Sequence, residues 1–286
     1  MSVARRRRIV KAIWIAAASA TALTLSGAGT TEPKPMAVPA VSPAEQQAIR
    51  DASARGALLY AYDQAAWHGT DEMMAKLPDA RSKVGGWIVD GPAETPELVF
   101  FDKDKAAPHA LFFARFERGR LVSSRVAEPG EGELGAERRR LIAARAAGLE
   151  ALQAKGFQRC TADPMNTVVL PPSEPNGPIY VYVMTPQKDA NTIPFGGHYR
   201  IAVGPDGKAG EIRSFTNSCI AMPARPPRGG KPSALVIGHF LDPVPTEIHV
   251  FSSLVAHVPV MVASKDGRIW GVNGASIVAV GQVVAP

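Results

Sequence analysis

The chain reads as an α+β protein in which an N-terminal helix and an antiparallel meander precede a mixed sheet with one helix packed on it. Three observations carry this expectation. Helix signals are few and far apart. Short runs rich in Val, Ile, Phe and Tyr, punctuated by Gly, Pro, Asn and Asp, fill most of the rest. A length of 286 residues, 46% of them hydrophobic, suffices to bury a sizeable core in one large domain or two smaller ones.

In chain order, the first element is an export signal. Arg5, Arg6, Arg7 and Arg8 with Lys11 precede the apolar run "AIWIAAASATALTL", and Ser26 and Ala28 supply the small side chains a signal peptidase needs, which predicts a signal peptide over 1–28. Arg6-Arg7-Arg8-Ile9-Val10-Lys11 is also similar to the twin-arginine pattern, so both the general secretory and the twin-arginine routes are open. The run is diluted by Ala, Ser, Thr and Gly relative to a spanning helix, so no membrane span is expected after cleavage. Removing the signal removes five of the six net positive charges. The mature chain is nearly neutral, which argues against a nucleic-acid partner.

Residues 29–41 form a proline-spaced tether, "GTTEPKPMAVPAV". Ser42-Pro43-Ala44-Glu45 then announces a helix, with serine as N-cap, proline in the first turn and glutamate three residues past the cap. Ile49, Ala52, Gly56, Leu59, Tyr62 and Ala66 form its buried stripe, Trp67 is expected in the core, and Gly69-Thr70-Asp71 reads as a break recapped by a helix that reaches about Leu77. The runs "GGWIVDG", "ELVFFDKD" and "HALFFARFERGRLVSSRV" predict the meander, and a second helix runs from about Leu134 to Lys155, ended by Gly156. Domain boundaries are placed at 42–157 and 158–286. The second half reads as strands "NTVVL", "PIYVYVMT", "GGHYRIAVG", "GEIRSF" and "ALVIGHFL", a helix over 246–257, and three closing strands. Cys160 and Cys219, the two cysteines of a chain bound for an oxidising compartment, are expected to form one disulfide worth about 4 kcal/mol on a chain-entropy estimate.

Chemical motifs are sparse. No Gly-x-Ser-x-Gly elbow and no His-Glu-x-x-His motif occurs, and Gly229-Gly230-Lys231-Pro232-Ser233 lacks the glycine frame and following helix of a phosphate loop. His198, after Gly196-Gly197, is either a packed strand histidine or a metal ligand. The densest group is Gly238–His249, "GHFLDPVPTEIH". As a strand it directs His239 and Leu241 to one face, Thr246 caps the helix, and His249 in the first turn faces the same corner as His239. Glu247 at the first helical position complements the helix dipole.

Strand, histidine, proline-bearing loop, Pro-Thr-x-x-ligand, helix, strand and an Asp-Gly hairpin resemble the JAB/MPN metalloprotease core over roughly 193–274. "GGHYRIAVGPDGK" resembles the early hairpin of secreted JAB-like domains of unknown function. The resemblance puts His239 on the first zinc histidine, Leu241 on the second, Thr246 on the serine and His249 on the aspartate. Leu241 cannot bind zinc, and no glutamate stands just before Gly196 to serve as base. A zinc-dependent peptidase or amidase would therefore need His239 and His249 with Asp242 or His198 as third ligand and Glu247 as base. The preferred expectation is an exported periplasmic or secreted protein without cofactor that binds a peptide, an envelope polymer or a protein partner beside His239 and His249. A structural envelope protein is the third possibility.

Overall fold

The computed structural model describes residues 40–189, 191–224 and 234–282. The signal peptide, nearly all of the tether and the Gly229–Ser233 stretch lie outside the described residues. The described residues all belong to one compact unit.

The first helix, α1 (Pro43–Lys76), starts at the expected capping box, in which Ser42 Oγ accepts the Glu45 N–H and Glu45 accepts the Ser42 N–H. It does not break at Gly69. The helix is continuous for 34 residues, about 50 Å, because Gly69 is a point of close packing: a Cβ there would collide with Leu98. Thr70 is no cap; its hydroxyl donates to the Ala66 carbonyl one turn back. Trp67 is not in the core either, being 61% exposed and stacked on His68.

A short α2 (Ala80–Lys83) leads into the meander β1 (Val84–Asp90), β2 (Glu97–Asp102), β3 (Ala110–Glu117) and β4 (Arg120–Val126), a sheet in that order. Then α3 (Ala136–Lys155), closed by Gly156 at φ 75°, precedes β5 (Asn166–Leu170), β6 (Ile179–Met184), β8 (Tyr199–Val203) and β9 (Ala209–Ser214), a second antiparallel sheet ordered β5-β6-β8-β9. Between β6 and β8, β7 (Thr192–Pro194) leaves this sheet to pair with β10 (Ala221–Pro223). The third sheet holds β11 (Leu235–Gly238), β12 (Val260–Ala263), β13 (Arg268–Asn273) and β14 (Ser276–Gln282), with α4 (Glu247–Ala256) crossing from β11 to the parallel β12. An α+β architecture with antiparallel and mixed sheets results.

The alternation of strand side chains explains the layers. Leu98, Phe100 and Phe112 of the first sheet join Val168, Tyr182 and Met184 of the second in a core beneath α1, which Ile248 and Phe251 of α4 enter. On the opposite faces Val99, Phe101 and Phe113 join Val181, Ile201 and Val203 beneath α3. Residues from both sides of the expected 157/158 boundary thus share these two cores. Near its start α1 also supplies Ala52 to a third core, with Val250 of α4 and Val260, Trp270 and Val272 of the third sheet. Gly56 lets α1 and α4 approach, since a Cβ there would meet Val250 and the Glu247 carbonyl. Arg268, at the start of β13, pairs with Glu45 and ties the helix start to the third sheet. The Cys160 and Cys219 sulfurs are bonded at 2.06 Å.

Candidate functional site

The sequence concentrates its polar side chains at the start of α4, and the structure shows what they meet. β11 ends at Gly238, although the His239 N–H still bonds the Ala263 carbonyl across the parallel pair. The chain then leaves the sheet, so His239 and Leu241 do not share a buried face: His239 is 4% exposed, while Phe240 and Leu241 are 64% and 49% exposed. The loop is fixed by Asp242, whose Oδ2 accepts from His239 Nε2 at 2.7 Å and from Arg213 at 2.6 Å. Burial alone would raise the Asp242 pKa, but the His239 bond and the Arg213 charge outweigh it and hold the carboxyl below its ordinary value.

Thr246, extended at φ −102° and ψ 173°, caps α4. His249 at the third helical position directs Nδ1 back to the Thr246 N–H at 2.9 Å and lies 3.1 Å from the Thr246 hydroxyl. Its ring meets that of His239 edge to face, with centroids 4.7 Å apart. Burial first, and then the neighbouring His239, push the His249 pKa from 6.5 to about 3. The ring is therefore neutral near pH 7, with Nδ1 committed as an acceptor.

Glu247 faces the second sheet. Tyr182 and Arg200 are cross-strand partners on β6 and β8, and Arg200 in turn partners Arg213 on β9, so one row of side chains points at the α4 start. Tyr182 donates to Glu247 Oε1 at 2.8 Å and Arg200 at 2.6 Å, while Arg55 of α1 stands 3.5 Å from the same oxygen. Tyr180 lies 4.7 Å beneath the Arg200 guanidinium. Glu247 is 2% exposed; burial would raise its pKa, but Arg200, Arg55 and the Tyr182 hydroxyl together lower it. A carboxylate so held is a poor proton acceptor.

His198 is fully buried just before β8 and is not hydrogen-bonded to the other candidates. Its Nε2 meets the Pro194 carbonyl at 3.0 Å, its Nδ1 has no partner, and burial pushes its pKa to about 4. His257, at the αL C-cap of α4, is exposed. Among the described residues no three His, Cys, Asp or Glu side chains are grouped as metal ligands. Of the residues named for zinc, His249 Nδ1 already holds a backbone N–H, Asp242 is shared between His239 and Arg213, and His198 bonds none of the others.

No family model, characterised protein or solved structure matches this chain.

Sequence reasoning passed over Arg55, Tyr182, Arg200 and Arg213, the residues that fix this corner. One signal was there to be read, an arginine inside the apolar strand "YRIAV", because a charge in such a strand needs a buried partner. A cleft of about 710 Å³ opens elsewhere, beside β3 and the 128–134 loop. It contains none of the predicted residues, and its Lys83 and Arg139 are bound to Asp79 and to the Leu134 carbonyl. Among the described residues no helix is long and apolar enough to cross a membrane.

Proposed function

We propose that this chain is an exported protein of the bacterial envelope, periplasmic or secreted, that works by binding a peptide or protein partner and not by hydrolysis. One observation carries the reading: at the β11–α4 corner the polar groups bind one another, and what the corner offers outward is the Phe240-Leu241 pair. The Asp242 bonds to His239 and Arg213 hold that loop in shape before any partner arrives, which lowers the ordering cost of binding. Exposed aromatic and aliphatic side chains on a braced loop suit apolar anchors of a polypeptide better than a hydroxyl-rich polymer. The Cys160–Cys219 bond is compatible with an oxidising compartment. On this reading the resemblance to the JAB/MPN core concerns the order of elements and not the chemistry.

The approach of the His239 and His249 rings favours a zinc-dependent peptidase as a second reading. The binding reading is tested by panning a displayed random-peptide library against the exported, disulfide-bonded protein. Peptides with apolar anchors are expected to be enriched and to lose at least about tenfold in affinity on Phe240→Asp, roughly the 1.4 kcal/mol or more of a buried anchor. Enrichment that Phe240→Asp and Leu241→Asp leave unchanged would remove this surface from the reading.

A further inference from the structure

The third sheet carries a second surface, distinct from the Phe240 loop. β14 pairs with β13 on one side and, among the described residues, with no strand on the other. Its sequence, "SIVAVGQ", has no charge and no proline, whereas monomeric proteins usually place such residues on an open edge to prevent pairing. Gly274 and Ala275 join Asn273 to its partner Ser276 in a two-residue turn. Alternation from that hydrogen-bonded pair turns the N–H and C=O groups of Ile277 and Ala279 to the open side. The one irregularity, an unpaired Val280 between Ala279 and Gly281, comes after both.

The face beside this edge is apolar. Val236, Met261, Gly271 and Val278 are successive partners across β11, β12, β13 and β14. Val236 and Val278 are 66% and 52% exposed, and Val280 next to them is 49% exposed.

We infer that the occupant of this edge is a second copy of the chain, paired antiparallel about a two-fold axis through Val278. In that register Ile277 of each copy lies opposite Ala279 of the other. Their four outward N–H groups meet four carbonyls, and no charge meets a like charge. The two Val278 side chains touch on the outer face, so the uncharged row runs unbroken across an eight-stranded sheet. An isologous contact of this kind closes at the dimer. A lipid surface would leave the row of backbone donors and acceptors unmatched.

Sedimentation equilibrium of the exported, disulfide-bonded protein tests the inference. A dimer is expected at micromolar concentration. Ala279→Pro removes an N–H on the open side, where an edge strand tolerates proline, and Val278→Lys sets two charges face to face. Each is expected to raise the dimer Kd at least about tenfold while circular dichroism stays that of the parent. A parent protein that stays monomeric at concentrations on the order of 100 μM, or a dimer whose Kd moves in neither variant, would overturn it.

Discussion

His249 Nδ1 accepts the Thr246 backbone N–H at 2.9 Å, so a histidine closes the α4 capping box where a glutamate or glutamine ordinarily stands. The bond gives this imidazole a structural task that requires its neutral form. His249→Gln keeps an acceptor at the same helical position and is expected to retain most of the stability. His249→Ala abandons the donor and is expected to cost about 1–2 kcal/mol in urea denaturation, before any loss from the buried ring. Equal losses in the two variants would mean that the cap contributes nothing.

Arg200 and Glu247 form the most deeply buried ion pair of the corner. Arg200→Met leaves a carboxylate that is 2% exposed with only Arg55 and the Tyr182 hydroxyl beside it, and the expected loss is about 2–3 kcal/mol, below the cost of a wholly unpaired charge. Tyr182→Phe removes one neutral donor and is expected to cost less, about 1–2 kcal/mol. Denaturation midpoints check both. A loss below about 1 kcal/mol for Arg200→Met would show that Arg55 and Tyr182 suffice to hold Glu247.

Two buried histidines make acid unfolding informative. His249 and His198 have folded pKa values of about 3 and about 4 against an ordinary 6.5. Between those limits the unfolded chain binds a proton that the folded chain refuses. Stability therefore falls as pH falls from 6.5, by about 1.4 kcal/mol per pH unit for each histidine at full slope. His249 titrates facing His239, Asp242, Arg213 and Thr246. His198→Gln removes one titrating group and is expected to reduce the slope between pH 6.5 and 4 by about one proton. An unchanged slope would place water beside His198.

Much of the fold follows from local pattern. Ser42, Pro43 and Glu45 specify the α1 start, and the spacing of Ala52, Gly56, Leu59, Tyr62 and Ala66 marks its buried stripe, because caps and periods are set by near neighbours. Trp67 falls beside that stripe and is exposed, so period was the better guide there than aromatic size. Gly69 reads as a breaker until Leu98, distant in sequence, is known to occupy the space a Cβ would need.

The corner shows the same division. His239 and His249 drew attention by their spacing, and their rings do meet. Their surroundings were not legible, since Arg200, Tyr182 and Arg213 arrive through the register of three strands and Arg55 through the crossing of two helices. Pairing register depends on contacts across the whole sheet, which no short stretch encodes.

The central claim is that the polar groups of this corner support the fold and present Phe240 and Leu241. Elemental analysis of the purified, disulfide-bonded protein tests it most directly. The account predicts zinc well below one equivalent per chain, unchanged by His239→Ala or His249→Ala. About one zinc per chain, lost in both variants, would contradict it and restore the metallopeptidase reading.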